Sequence, residues 1–219
     1  RSMQVVALIS VLLLKRLESS VVAFRDTCEN LLLKLISFVE KHDEDTSKRW
    51  LGMNEDRINT IKANRNIENN EEDEEDTLPE ELKIIWNELD KTKFNVGKIV
   101  LDTMLDLERL VDFLSDLDNF DFKKDDKIQA LINLLNTDVD LKQEKVIIFT
   151  EFMSTAKYLE KTLKEYKFQD LLEIDSSYKG DRGQVIKRFA PFYNKTSVNE
   201  LHEKGQTEIR ILIATDVLS

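Results

Sequence analysis

The first forty residues carry a hydrophobic repeat at helical spacing. Leu13, Leu17, Val21, Phe24, Cys28, Leu31, Leu35 and Phe38 recur every three or four positions, so they share one helical face. Val6, Ile9, Val22, Leu32, Ile36 and Val39 widen that face into a broad stripe. The pattern predicts one or two long helices from Met3 to about Lys41, buried on more than one side, with Cys28 as a small core residue. Residues 42–67 are polar, and Trp50, Leu51, Met53, Ile58 and Ile61 mark a short helix there. Pro79 opens a further helical region, with Thr77 as its N-cap and Glu80 and Glu81 in the first turn. Its clearest stretch puts Val100, Met104, Leu107, Leu110 or Val111, and Leu114 on one face.

The pattern changes after Asp125. Residues 126–136 read as a helix with Ile128, Leu131, Ile132 and Leu135 apolar. Lys145–Thr150 is a short β-branched run of the buried-strand type. A helix capped by Ser154 runs to Tyr166, Leu171–Ile174 reads as a second strand, Asp181–Phe189 as a helix, and Glu208–Thr215 as a third strand. Residues 191–207 form a long connector with a short helix near Val198–Glu203. Alternating helix and strand predicts a parallel sheet with covering helices. The expected class is α+β: a mostly helical N-terminal part followed by an incomplete α/β parallel-sheet lobe. The boundaries read as 1–41, 42–122 and 123–219.

Composition agrees with this division. Five Gly and two Pro among 219 residues favour helices over a turn-rich β fold. One cysteine excludes an internal disulfide, and His42 and His202 stand far apart with no Cys nearby, so no metal site is expected. The apolar run Val5–Leu14 is too short to span a membrane and is followed by Lys15 and Arg16, so a cytoplasmic chain is expected. The net charge of −11 is local: Glu68–Glu81 holds nine acidic side chains and no basic one. Such a run repels itself and buries nothing, so residues near 66–79 read as a disordered acidic linker. From Lys123 to Ser219 there are 16 basic and 16 acidic residues, so the acidity does not exclude a nucleic-acid partner for that part.

No GxxxxGK[ST] phosphate loop, GxGxxG, HExxH or GxSxG motif is present, so no catalytic residue is expected in this stretch of chain. What remains is the loops after the strands, where parallel sheets place their ligands. Thr150–Glu151 with Ser154 and Thr155, Asp175–Gly180, and Thr215 are rich in hydroxyls, and Lys179 and Arg182 add charge. Hydroxyls and helix N-termini bind phosphate oxygens, although each hydroxyl alone also fits a cap or turn role.

Several segments resemble the superfamily-two helicase-type ATPases of the bacterial SWI/SNF group. KVIIFTEFMSTAKYLEKTL (145–163) resembles helicase motif IV and its following helix. RGQVIKRFAPFYN (182–194) resembles the segment after the next strand, with Arg182 and Phe189 at the family's spacing, and EIRILIATDVLS (208–219) resembles motif V. LLLKRLESSVVAFRDT (12–27) is similar to the segment joining the two RecA-like lobes, and DLERLVDFL (106–114) with DDKIQALINLL (125–135) to the approach to the second lobe.

The resemblance implies interlobe helices, a helical protrusion and a truncated second RecA-like lobe, cut from a DNA-dependent ATPase. Such an enzyme couples ATP hydrolysis to translocation on double-stranded DNA or to remodelling of RNA polymerase or another DNA-bound protein. It implies that Thr150 and Thr215 meet the DNA phosphate backbone, with Ser176, Ser177, Lys179 and Arg182 as weaker candidates on the same track, Arg182 fitting a carboxylate pairing equally well. It also implies that Asp216 sits near the lobe interface and ATP. ATP and Mg would belong to the full-length protein, none being expected on this stretch, which is expected to be inactive alone. A second reading treats the chain as a non-catalytic helical interaction module, its Leu13–Phe38 stripe a partner surface on an α/β scaffold.

Overall fold

The computed structural model describes residues 2–68 and 92–215. The acidic segment beyond Glu68, the Pro79 helix start and Asp216 lie outside the described residues. The described chain is α+β, mostly helical with one three-stranded parallel sheet. It forms two compact units: residues 1–16 with 24–120, and residues 17–23 with 121–219.

The helical unit is built from α1 (Ser2–Ser19) up to Arg16, α2 (Val21–His42) from Phe24 on, α3 (Glu44–Met53), α4 (Glu55–Glu68) and α5 (Val96–Asp118). The long repeat does not form one helix. It breaks at Ser20, whose Oγ accepts from Ala23 N at 3.0 Å and so satisfies a free donor in the first turn of α2. Residues 42–67 hold two helices rather than one. Asp43 starts α3 by accepting from Thr46 N at 3.0 Å, and Asn54 ends it by donating its backbone N–H to Trp50 O and Leu51 O.

The core of this unit gathers Cys28, Leu32, Ile36, Phe38 and Val39 of α2 with Trp50, Ile58 and Ile61. Val100, Leu107 and Leu114 of α5 complete it, and their seven-residue spacing makes a seam along one helix face. Leu32 and Val39 of the widening set are wholly buried, while Leu17 of the first set is 45% exposed. The α2 part of the stripe is therefore covered by its own unit, whereas Val11, Leu12 and Leu14 of α1 stay exposed. Two polar ties cross the core rim. Trp50 Nε1 donates to Glu108 Oε1 at 2.7 Å, and Arg57 donates to Ser115 Oγ at 2.9 Å and to Asp118 at 2.7 Å.

The α/β unit contains α6 (Asp126–Thr137), α7 (Val139–Gln143), β1 (Val146–Phe149), α8 (Met153–Glu165), β2 (Leu171–Ile174), α9 (Arg182–Phe189), α10 (Val198–Glu203) and β3 (Ile211–Ala214). The strand order is β1-β3-β2, with both pairings parallel. Because side chains alternate along a strand, the two faces carry different cores. Val146, Ile148, Ile211, Ile213 and Leu171 pack with α6 and α8, and Leu172, Ile174, Leu212 and Ala214 pack with α9. The last strand is shorter than its apolar run suggests: Glu208 lies before it and pairs with Lys145 at 2.7 Å.

Among the described residues, no helix is long and apolar enough to cross a membrane. Cys28 is 2% exposed, and burial, reinforced by Glu29, pushes its thiol up to about 11. At pH 8 the thiolate fraction is then about a hundredfold below that of a free cysteine. A colorimetric thiol reagent should leave the native protein untouched and titrate one thiol promptly in 6 M urea; prompt reaction in native buffer would contradict the buried α2 face.

Candidate nucleic-acid interface

Parallel pairing in this register ends all three strands together. Phe149 and Ile174 both face Ala214 across the ladder. The next residues extend it, as Thr150 N donates to Ala214 O at 3.1 Å and Thr215 N to Ile174 O at 3.2 Å. Thr150, Thr215 and the Asp175–Asp181 loop therefore lie side by side at the C-terminal edge of the sheet, where such sheets bind ligands. The edge brings together the residues picked out from sequence, apart from Asp216, which lies outside the described residues.

Their chemistry differs from residue to residue. Thr150 is half-buried and Thr215 only 5% exposed, so Thr215 is set in the sheet and not displayed on it. Ser177 Oγ donates to Asp175 Oδ1 at 2.6 Å, and Ser176 Oγ reaches Met153 Sδ at 3.0 Å. Both hydroxyls thus hold the loop rather than stand free. Lys179 is exposed. Arg182 is exposed too and donates to the carbonyl of Asp175 at 3.4 Å, a backbone oxygen in place of the carboxylate expected as its rival partner. The outward charge of this edge comes from Lys179 and Arg182, countered by Glu151 and Asp181, both exposed.

Asp175 organises the loop, a role its place in the polar run did not reveal. It is 1% exposed, and its Oδ1 accepts from Ser177 N at 2.8 Å as well as from Ser177 Oγ. Its Oδ2 faces Lys157 Nζ of α8 at 3.6 Å. The Tyr178 ring lies over Gly180, where an added Cβ would come within 2.5 Å of it and displace the ring. Asp181 then starts α9 by accepting from Gly183 N at 2.8 Å and Gln184 N at 3.3 Å.

The helix after β1 starts differently from the sequence expectation. Its N-cap is Phe152, without a side-chain cap, and Ser154 lies inside the first turn with a buried hydroxyl lacking a hydrogen-bond partner. Thr155 in the same turn is engaged instead: Ser19 Oγ and Ser20 Oγ each lie 2.8 Å from its Oγ1. Lys127 Nζ donates to Glu18 O at 2.6 Å and Ser19 O at 3.0 Å, where helix carbonyls lack intrahelical partners. The Leu17–Ala23 turn is thereby tied to the α/β unit. Nothing in the polar residue pattern distinguished Ser19, Ser20 and Thr155 from ordinary caps.

Glu173, in β2, has one carboxylate oxygen buried without a hydrogen-bond partner. Burial first, then Asp175 and Glu160, push its carboxyl up to about 7, against the opposing pull of Lys157 and Lys164. With these two cations beside it, the group is an ion cluster, and no set of three or more His, Cys, Asp or Glu among the described residues is placed to hold a metal ion. No phosphate loop occurs in the sequence either. No protein-family model, curated protein or solved structure matches the chain.

A folded-state carboxyl raised to about 7 binds its proton more tightly than in the unfolded chain. The Glu173 term therefore lowers stability as pH rises from about 4.5 to about 7, and the full penalty stands above that. Glu173→Gln should match the wild type at pH 5.5 more closely than at pH 8, where it gains on the order of 1 kcal/mol after allowance for partial solvation. Urea midpoints across that range read the difference, and a pH-independent gap would refute it.

Proposed function

We propose that this chain is part of a DNA-dependent ATPase of the SWI/SNF helicase type, and that its α/β unit corresponds to part of the second RecA-like lobe. In this reading the C-terminal edge of the sheet is the surface that meets the backbone of double-stranded DNA. The observation that supports it most is the parallel β1-β3-β2 register, which brings Thr150, Thr215 and the Asp175–Asp181 loop to one edge. By the resemblance, Thr150 and Thr215 would meet phosphate, with Ser176, Ser177, Lys179 and Arg182 as weaker candidates on the same track.

Lys179 and Arg182 carry the attraction, as exposed cations at that edge. Thr150 offers a half-buried hydroxyl, and Asp175, Ser176 and Ser177 shape the loop that presents Lys179. Such contacts read the backbone without reading sequence. ATP hydrolysis, and the motion along DNA or the displacement of RNA polymerase or another bound protein that it drives, would depend on residues this chain does not supply. Purified alone, the chain should show no ATP turnover with or without duplex DNA.

Binding tests the surface directly. Fluorescence anisotropy with a 20-base-pair duplex should give weak, sequence-independent affinity that falls with salt. Lys179→Ala with Arg182→Ala should weaken it severalfold and reduce the slope of log affinity against log salt by about two. An unchanged affinity and slope in the double variant would remove the strand-end surface from the DNA interface.

A further inference from the structure

Two adjacent aromatic rings stand almost entirely in water. Phe192 is 85% exposed and Tyr193 86%, although side chains of this size gain substantially from burial. They occupy a single 3₁₀ turn, Phe192–Asn194, just after α9. That turn is held firmly. Asn194 N donates to Ala190 O at 3.2 Å and to Pro191 O at 3.0 Å, and Asn194 Nδ2 donates to Ala190 O at 2.8 Å. Lys195 N donates to Phe192 O at 3.2 Å and Thr196 N to Pro191 O at 3.0 Å. Lys195 closes the turn at φ 54°, a conformation uncommon for a residue with a side chain. Pro191, at the root, is buried. The backbone thus fixes the two rings outward, edge to face at 5.7 Å, without packing them on the body of the unit.

The charge around the turn points to what it meets. From Gly183 to Asn199 the chain has three basic residues and no acidic one, within a protein of net charge −11. Lys187 and Lys195 are exposed, while Arg188 is held by Thr207 O at 2.8 Å. A ligand suited to this segment offers flat apolar faces and negative charge together. Nucleobases on a phosphate chain have both, and base–aromatic stacking tolerates any sequence. An apolar protein surface would use the rings but not the cations.

We propose that Phe192 and Tyr193 form a stacking platform for unpaired or unstacked nucleobases, with Lys187 and Lys195 receiving the adjoining phosphates. The platform uses none of the strand-end residues and does not rest on the duplex reading above. Its effect should be large per ring, since replacing one stacking aromatic by alanine typically weakens single-strand binding by about fivefold or more.

The test is anisotropy of the whole chain with fluorescein-labelled dT20 and with an abasic oligomer of the same length and charge. The wild type should bind dT20 more tightly than the abasic oligomer. Phe192→Ala with Tyr193→Ala should weaken dT20 at least tenfold and leave abasic binding and melting temperature unchanged, and Phe192→Tyr with Tyr193→Phe should retain wild-type affinity. Equal binding of dT20 and the abasic oligomer by the wild type overturns the proposal, as does no measurable dT20 binding. So does an alanine double variant that binds dT20 normally, the result expected if the rings instead dock a protein. Lys179→Ala with Arg182→Ala separates the two surfaces, because it should lower duplex affinity while the dT20-to-abasic ratio stays at the wild-type value.

Discussion

The pairing of Ile211–Ala214 with a parallel neighbour on each side determines where three loops begin. All four residues of this strand are buried, so its side chains have no freedom to slip by one position without exchanging the two cores. Its register aligns Phe149 and Ile174 on Ala214, and the backbone bonds of Thr150 and Thr215 carry that alignment one residue further. The polar loops meet because the apolar strand positions leave them no other place to start. The candidate surface is thus a consequence of core packing, built from residues that never touch it.

Much of this was legible in the chain itself. The β-branched runs at 145–150 and 208–215 marked two of the strands, but only β3 is buried on both faces: Ile147 of β1 is 43% and Phe149 64% exposed. Val100, Leu107 and Leu114 gave the α5 seam by spacing alone. The errors lie where a single side chain decides a boundary. Ser154 has the chemistry of a cap, but the chain enters α8 at Phe152, and the serine is drawn into the first turn. Asn54 splits an ostensibly single helix by taking over the carbonyls of Trp50 and Leu51. Within the candidate site, residue type marked the loop after β2 but not the partners of its hydroxyls: those of Ser176 and Ser177 are engaged inside the protein. Their engagement depends on Met153 and on the depth of Asp175, which no linear pattern discloses.

Charge is distributed with similar economy. The acidic excess lies chiefly between Glu68 and Glu81, away in sequence from both proposed binding surfaces. The α/β part is close to neutral, so binding of a polyanion as proposed would depend on where Lys179, Arg182, Lys187 and Lys195 are held rather than on how many cations there are. Asp175 orders the loop that carries Lys179, and the backbone bonds of the 3₁₀ turn fix Lys195. Glu173 and its lysines add an ion cluster under the first of these loops, where the cost of burying a carboxylate is only partly offset.

The Leu17–Ala23 turn gives the α/β unit an unusual order of assembly. Ser20 and Thr155 touch, yet 135 positions separate them. During synthesis this short piece leaves the ribosome long before the rest of its unit, while nearly all of the helical unit is made in between. Its contacts with Lys127 and Thr155 can form only once α6 and α8 have been made. A gene cut at residue 121 would yield an autonomous-looking sheet domain that has lost both hydroxyl neighbours of Thr155 and the carbonyls that hold Lys127. The compact α/β unit is therefore longer than the contiguous segment 121–219, because it also takes in residues 17–23.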